Sequence, residues 1–183
     1  MTLTTLKWTI DDYHQMIAAG ILEDRPVELL NGEIVEMSPE GEPHAYYRNE
    51  ATDYLKTLLR DRAKVRQGSP ITILGSNSEP EPDIAIVRPL GRVYLQHHPY
   101  PEDIFWLIES SQSSLNKDLE PKAMTYAQAG IPEYWVVNLK EMQLIVMRSP
   151  ANSEYQSQIT MTQGSVSPLA FPDISIVVAR LLD

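Results

Sequence analysis

Apolar residues recur along this chain with two periods, one typical of helices and one typical of strands. From His44 to about Arg62 an apolar residue falls at every third or fourth position, which predicts an amphipathic helix. Its apolar positions are Tyr47, Ala51, Tyr54, Leu55, Leu58 and Leu59. A second helix is predicted from about Asp118 to Ala129, because Asp118 is a suitable N-cap and Gly130 ends the pattern.

Two further elements are predicted towards the N-terminus. Thr9 and Asp12 have the spacing of a capping box, so a short helix is expected from Ile10 to Ala19. In PVELLNGEIVEM, two apolar runs flank Asn31-Gly32, a pair that favours the tight turn of a β-hairpin. The first predicted elements are therefore a helix and a hairpin.

Short apolar segments between and after the helices predict a sheet. The middle of DIFWLIES is apolar on both alternations, as in a strand covered on both faces, and EYWVVN is predicted as another buried strand. Further strands are expected in KVRQGSPITI, PDIAIVR, MQLIVMR and QITMTQGSV, with PDISIVVARLL as a final strand or helix. This order predicts a mixed α/β sandwich, with helices covering a central sheet, in one domain over residues 1–183. No glycine-rich phosphate loop follows a strand, which excludes Rossmann and P-loop folds.

Composition adds information about location and charge. The 183 residues are 43% hydrophobic and 22% charged, as is typical of a globular protein. A cytoplasmic protein without a membrane span is expected, because no segment is apolar enough to cross a bilayer, no signal peptide is recognisable and cysteine is absent. The net charge of -10 repels phosphate backbones, so binding nucleic acid requires a local basic surface or bridging cations.

Acidic residues cluster at the start of one predicted strand, in the stretch EPEPDIAIV. Asp83 opens that strand and Glu109 ends the next one. If the two strands are neighbours, their carboxylates meet at one point of the sheet, where a hard cation such as Mg²⁺ offsets their repulsion. Glu79 and Glu81 are interpreted instead as solvated residues at the start of the strand.

Lys122 lies on the apolar stripe of the second predicted helix, three residues after Leu119 and four before Tyr126. A lysine on a buried face is uncommon unless it is paired. It can pair with Asp118 one turn earlier or extend to the rim of the helix. Alternatively, its ammonium reaches over the sheet towards the two acids.

Three segments together resemble a known family. They are VELLNGEIVEMSPEGEPH, EPDIAIV and LIESSQSSLNKDLEPKAMTYAQAGIPEYWVV. They resemble a restriction-endonuclease-like family of unknown function in the PD-(D/E)XK nuclease superfamily, over about Thr9 to Leu182. The resemblance implies a central mixed sheet flanked by helices, with an N-terminal helix and β-hairpin extension.

The same resemblance implies roles for particular residues. Asp83 and Glu109 match the two acids of the motif and are the implied ligands of Mg²⁺ or Mn²⁺, together with a nearby backbone carbonyl. Ser111 stands where the superfamily's lysine normally lies, and it is assigned to the metal site. The role of that lysine, which is to orient the attacking water, moves to Lys122. Glu28 matches an additional acid that holds a second ion or a coordinated water.

The implied activity is hydrolysis of phosphodiester bonds by an endonuclease, on DNA in preference to RNA, with a homodimer as the expected assembly. His44 matches a histidine of the family and, at a helix start, is expected to contact a phosphate. Gln112 stands where many relatives have Asp. Two alternatives remain open: a module of the same fold that binds nucleic acid without cutting, and a protein-interaction subunit that dimerises through a sheet edge near Gln143 to Arg148.

Overall fold

The computed structural model describes residues 5–37, 39–111 and 118–182. The helices are α1 (Ile10–Ala18), α2 (Glu42–Leu59), α3 (Ala123–Gln128) and α4 (Ala179–Leu182). The strands are β1 (Val27–Leu30), β2 (Glu33–Glu36), β3 (Lys64–Gln67), β4 (Ile84–Val87), β5 (Ile104–Ser111), β6 (Glu133–Asn138), β7 (Gln143–Ala151), β8 (Glu154–Met161), β9 (Ser165–Val166) and β10 (Ile176–Val177). A π-helical turn, Asp118–Lys122, leads directly into α3.

A six-stranded mixed sheet forms the centre of the molecule, which confirms the predicted fold class. Its strands lie in the order β3-β4-β5-β6-β7-β8. β5 and β6 run parallel, whereas the other neighbours in this sheet run antiparallel. The parallel pair requires a crossover, and the π-helical turn with α3 lies on that connection.

Both faces of the sheet carry a buried apolar layer. Alternation along β5 sends Trp106 to the face covered by α2 and the C-terminal elements, where Leu55 of α2 is buried. Leu107 points to the opposite face, where it packs in a layer with Tyr126 of α3. By the same alternation, Glu109 falls on the face covered by α3. β5 therefore contributes apolar residues to both layers and also places Glu109 beneath α3.

The predicted N-terminal helix and hairpin are both confirmed. The capping box of α1 is complete: the Asp12 N–H donates to Thr9 Oγ1 at 3.1 Å, and the Thr9 N–H donates to Asp12 Oδ2 at 3.0 Å. Asn31 and Gly32, with φ of 52° and 73°, form the turn between β1 and β2. Positive φ at both turn residues explains why this pair specifies the hairpin.

Glu79 fixes the hairpin and α1 to the body of the protein. Its N–H donates to the Leu29 carbonyl at 2.8 Å, and its carboxylate accepts from Thr72 Oγ1 at 3.0 Å and lies 2.7 Å from His14 Nε2. The interpretation of Glu79 as solvated is therefore wrong, since the residue is only 4% exposed. These contacts hold β1 against the end of β4.

The structure corrects three predictions about the sheet. The predicted edge near Gln143 to Arg148 is wrong, because β7 pairs with both β6 and β8, and the outer strand on that side is β8. The predicted strand in KVRQGSPITI ends at Gln67, because Gly68 turns the chain with φ of 47°. The tail QITMTQGSV divides between β8 and β9, and β9 pairs with β10 in a separate ladder.

Two remaining points concern the helices and the limits of the described chain. The helix predicted from about Asp118 to Ala129 begins as the π-helical turn, which contains Pro121, and is α-helical only over Ala123–Gln128. Gln112 lies outside the described residues. Among the residues that the structure describes, no helix is long and apolar enough to cross a membrane.

Candidate active site

A cavity of about 330 Å³ lies at the junction of the hairpin, α2, the β4–β5 pair and the π-helical turn. Five of the six residues assigned from the sequence line it, namely Glu28, His44, Asp83, Glu109 and Lys122. Its other charged lining residues are Glu40, Arg48, Glu81 and Asp118. The fold thus brings together side chains that are far apart in the sequence.

Asp83 and Glu109 converge as expected from their positions at strand ends. Asp83 immediately precedes β4, and the pairing of Ile84 with Ile108 places it opposite Glu109. The Asp83 N–H donates to Glu109 Oε2 at 3.3 Å, and the Ser110 N–H donates to Asp83 Oδ2 at 2.6 Å. Asp83 is 9% exposed and Glu109 is 4% exposed, so both carboxyls lie at the inner end of the cavity.

Lys122 of the π-helical turn contacts one member of this pair, Glu109. Its Nζ lies 2.8 Å from Glu109 Oε1 and 3.5 Å from Glu28 Oε2, and the residue is only 5% exposed. Burial alone lowers the pKa of Lys122, but the carboxylates of Glu109, Glu28 and Asp118 outweigh it and raise the pKa above its ordinary value. Lys122 is therefore an ammonium at neutral pH, held in place by acids.

Glu109 is the electrostatic centre of the cavity. Its pKa is raised to about 8, chiefly by burial and further by the charges of Asp83 and Asp118, while the Lys122 charge opposes the rise. The Tyr126 hydroxyl also donates to Glu109 Oε1, at 3.2 Å. Because the ammonium alone does not return this pKa to its ordinary value, the carboxylate form of Glu109 is stabilised by any further positive charge in the cavity.

Glu28 and His44 complete the walls. Glu28 is fully buried on β1, and its Oε2 accepts from the Glu81 N–H at 3.1 Å. His44 lies in the first turn of α2, with Nε2 2.9 Å from Asp83 Oδ1. The hydrogen bond with Asp83 raises the pKa of His44, and burial opposes this effect. The hairpin therefore supplies an acid next to Lys122, and α2 supplies a basic group next to Asp83.

Comparison with known proteins identifies the family. The sequence model of the Uma2 family, described as a "putative restriction endonuclease", matches residues 10–179. The chain belongs to the Uma2 family. The restriction-endonuclease-like relationship inferred from the sequence is thereby confirmed. No curated protein matches the chain.

A solved structure supports the fold of this Uma2 domain. It is described as "a putative nuclease belonging to DUF820", from Anabaena variabilis, and it is 17% identical in sequence. The two structures align with a TM-score of 0.68 over 94% of this chain and 96% of the other. At that level of identity, the similarity shows a shared nuclease-like fold.

The cavity of this Uma2 domain offers the oxygen ligands that a hard divalent cation prefers. In the described parts of the chain, no group of three or more His, Asp or Glu side chains is placed to hold a metal ion. Mg²⁺ is nevertheless commonly held by one or two carboxylates, with water and substrate oxygens completing the shell. Asp83 and Glu109 fit that mode, since both are buried carboxyls at one point of the cavity.

The direction of the β5 backbone places the Ser110 carbonyl on the Asp83 side of the strand. The Ser111 carbonyl accepts from the Leu139 N–H at 2.9 Å and therefore points towards β6. The Ser110 N–H points the other way, to Asp83, and the N–H and C=O of one strand residue lie on the same side. The carbonyl on the Asp83 side is thus that of Ser110, although Ser111 was assigned to the metal site from the sequence.

Sequence reasoning missed several lining residues. Glu81, interpreted as solvated, is half-buried in the cavity, and burial raises its pKa. Arg48 lines the cavity one helical turn after His44. A spacing of four residues on one helix, starting from a candidate site residue, is the pattern that could have indicated Arg48. Glu40 precedes α2, and nothing in the local sequence sets it apart.

Proposed function

We propose that this Uma2 domain is an endonuclease that hydrolyses phosphodiester bonds in DNA with Mg²⁺ or Mn²⁺ held by Asp83, Glu109 and the Ser110 carbonyl. The observation that carries the proposal is the buried Lys122 ammonium, which lies 2.8 Å from Glu109 Oε1 in the cavity that Asp83 also lines. Two converging acids alone could equally stabilise the fold or bind a ligand without cleaving it. A buried lysine fixed beside them adds a charged donor where phosphate chemistry requires one.

When bound, a divalent cation supplies Lewis-acid chemistry, which lowers the pKa of a coordinated water and polarises a phosphate oxygen. The residues of the chain have complementary tasks. Lys122 remains an ammonium and donates to the attacking water or to a phosphate oxygen, which favours the charge that builds up there. Glu28 orients Lys122 through the 3.5 Å contact. His44 donates to a phosphate oxygen when the substrate replaces its contact with Asp83.

The excess of negative charge limits how this domain can bind nucleic acid. The chain carries a net charge of -10, and five carboxyl groups line the cavity besides Glu40. A phosphodiester cannot enter such a field unless cations accompany it. We therefore expect nucleic-acid binding itself, and not only cutting, to depend on the divalent cation.

Calorimetric titration with Mn²⁺, followed by incubation with plasmid DNA and structured RNA, tests the proposal. The variants are Asp83→Asn/Glu109→Gln and, as a matched control, Asp103→Asn. Asp103 is a buried carboxyl just before the opposite end of β5 and lies outside the cavity. The double variant should lose Mn²⁺ binding and cutting, whereas the control should keep both.

The outcomes separate the possible functions. Mn²⁺ binding and metal-dependent cutting of DNA by the parent protein support the endonuclease. Metal-dependent binding of nucleic acid without any cutting favours the module that binds but does not cleave. A parent protein that takes up no Mn²⁺ refutes the metal site at Asp83 and Glu109.

We also propose that the expected homodimer forms through β8. Within the described residues this strand pairs with β7 alone, so its outer N–H and C=O groups are open along residues 154–161. It contains no lysine, arginine or proline, the residues that often protect such edges. Ile159 is exposed in the middle of the strand. Antiparallel pairing of two β8 strands would extend the sheet across two copies of the chain.

A further inference from the structure

Arg48 is largely buried, yet among the described residues its guanidinium has few close hydrogen-bond acceptors. Its side chain is 20% exposed, one turn after His44 on the cavity side of α2. Nη2 lies 2.9 Å from Glu40 Oε1, and Nη1 lies 3.9 Å from Asp83 Oδ1, beyond hydrogen-bonding distance. Within the described residues, the buried Nε has no hydrogen-bond partner. The guanidinium therefore faces the cavity with only one close ion pair.

A guanidinium has five N–H donors in a planar fork, and buried donors in native proteins are almost always satisfied. The nearby acids do not complete the set. Asp83 accepts instead from the Ser110 N–H at 2.6 Å and contacts His44 at 2.9 Å. Glu40 contacts the fork at Nη2. Nε is too deeply buried to meet an anion from outside the chain, so the donors left for one lie at the Nη1–Nη2 end of the fork.

Nη1 borders the cavity next to Gly68. Gly68 lines the cavity at this point, and a Cβ added there would lie 3.6 Å from Arg48 Nη1. The residue also has φ of 47°, where glycine is favoured over residues with side chains. Glycine at position 68 therefore leaves no side chain against Nη1, where a Cβ would already be in van der Waals contact.

We propose that Arg48 binds a backbone phosphate of the nucleic-acid substrate, an inference that rests on the proposed function. The planar fork suits two oxygens of one phosphate, which is the recognition that arginine provides better than lysine. Lys122 lies deeper, with a side chain 7% exposed. Arg48 thus holds the strand nearer the mouth of the cavity, and Lys122 acts at the reacting centre.

The distance between Arg48 and Asp83 couples this role to the cation. A divalent ion on Asp83 repels the guanidinium, which weakens the 3.9 Å contact and leaves Nη1 for the substrate. Removing Arg48 therefore has opposite effects on the two ligands. It favours the cation, because a like charge is lost, and it disfavours the phosphate.

Fluorescence anisotropy of a short labelled oligothymidylate in Ca²⁺ tests the proposal by binding rather than by cutting. Arg48→Ala should weaken binding by about tenfold or more. The slope of the logarithm of affinity against the logarithm of salt concentration should become shallower by about the contribution of one phosphate contact. Arg48→Lys should recover part of the loss, because it keeps the charge without the fork. Lys56→Ala, which removes an exposed charge two turns further along α2, is the matched control and should bind within about twofold of the parent protein.

Calorimetry with Mn²⁺ alone completes the test. Arg48→Ala should bind Mn²⁺ at least as tightly as the parent protein. Unchanged oligothymidylate binding by Arg48→Ala overturns the proposal, even if the parent protein cuts DNA. Loss of both Mn²⁺ and oligothymidylate binding also overturns it, because Arg48 then acts by supporting Asp83. A parent protein that neither binds oligothymidylate nor cuts plasmid refutes the proposed function itself, which is a separate result.

Discussion

Replacing Lys122 by methionine tests whether the centre of the cavity is a buried ion-pair cluster. Methionine has a similar length and no charge, so the substitution removes the ammonium without leaving a large void. Glu109 and Glu28 then lose the cation that lies 2.8 Å and 3.5 Å from their oxygens. Both acids are almost fully buried, so water compensates only part of the lost charge.

The expected loss of stability follows from that burial. Removing one partner of a buried ion pair costs about 3–5 kcal/mol, and here two carboxylates share the lost partner. We therefore expect about 4–5 kcal/mol at high pH, which for a chain of this size lowers Tm by on the order of 10 °C.

Protonation of Glu109 reduces this loss at lower pH. The pKa of Glu109 is about 8 even though Lys122 opposes the rise caused by burial, so the substitution raises the pKa further. A carboxyl with a raised pKa in the folded state favours folding at low pH, and this contribution disappears as the pH rises through that pKa. Lys122→Met should therefore be closest to the parent protein in stability near pH 6, and the difference should widen towards pH 9, about one unit above the pKa of Glu109.

Urea unfolding monitored by circular dichroism, at about pH 6 and about pH 9, measures both effects. Lys122→Met/Glu109→Gln is the control, because removing both charges restores much of the stability while leaving DNA cutting abolished. Equal stability of Lys122→Met and the parent protein at about pH 9 would show that the ammonium is solvated or weakly paired. That result would refute the reasoning from burial.

Three further predictions concern regions outside the cavity. Arg148→Met should lower stability by about 3–5 kcal/mol in urea unfolding without changing Mn²⁺ titration, because fully buried Glu133 loses its guanidinium partner at 2.6 Å. Thr9→Ala removes the side-chain acceptor of the Asp12 N–H and should cost about 0.5–2 kcal/mol by the same assay. Ile159→Lys places a charge on the open β8 edge and should change the mass found by light scattering from twice 20.7 kDa to 20.7 kDa. A parent protein that is already monomeric would rule out the β8 dimer.

Local sequence patterns predicted those parts of the fold that local interactions specify. Asn31-Gly32 specified the hairpin because the turn requires positive φ at both positions. Thr9 and Asp12 specified the start of α1 because each satisfies the other's backbone N–H. The position of β7 inside the sheet was not predictable in this way, since an apolar period shows that a strand is buried and not which strands lie beside it.

The residues of the candidate site also fall into two groups, those that local patterns predict and those that only the tertiary structure reveals. Lys122 could be assigned from its place on a buried helix face, and Asp83 and Glu109 from their places at strand ends, because burial of charge is visible in the local pattern. The choice between Ser110 and Ser111 could not be made, since it depends on which side of β5 the strand β4 lies. Once that side is known, one hydrogen bond to Asp83 is enough to decide it. Residues brought to the cavity by tertiary contacts alone therefore require the structure, whereas residues that break a local burial rule can be recognised without it.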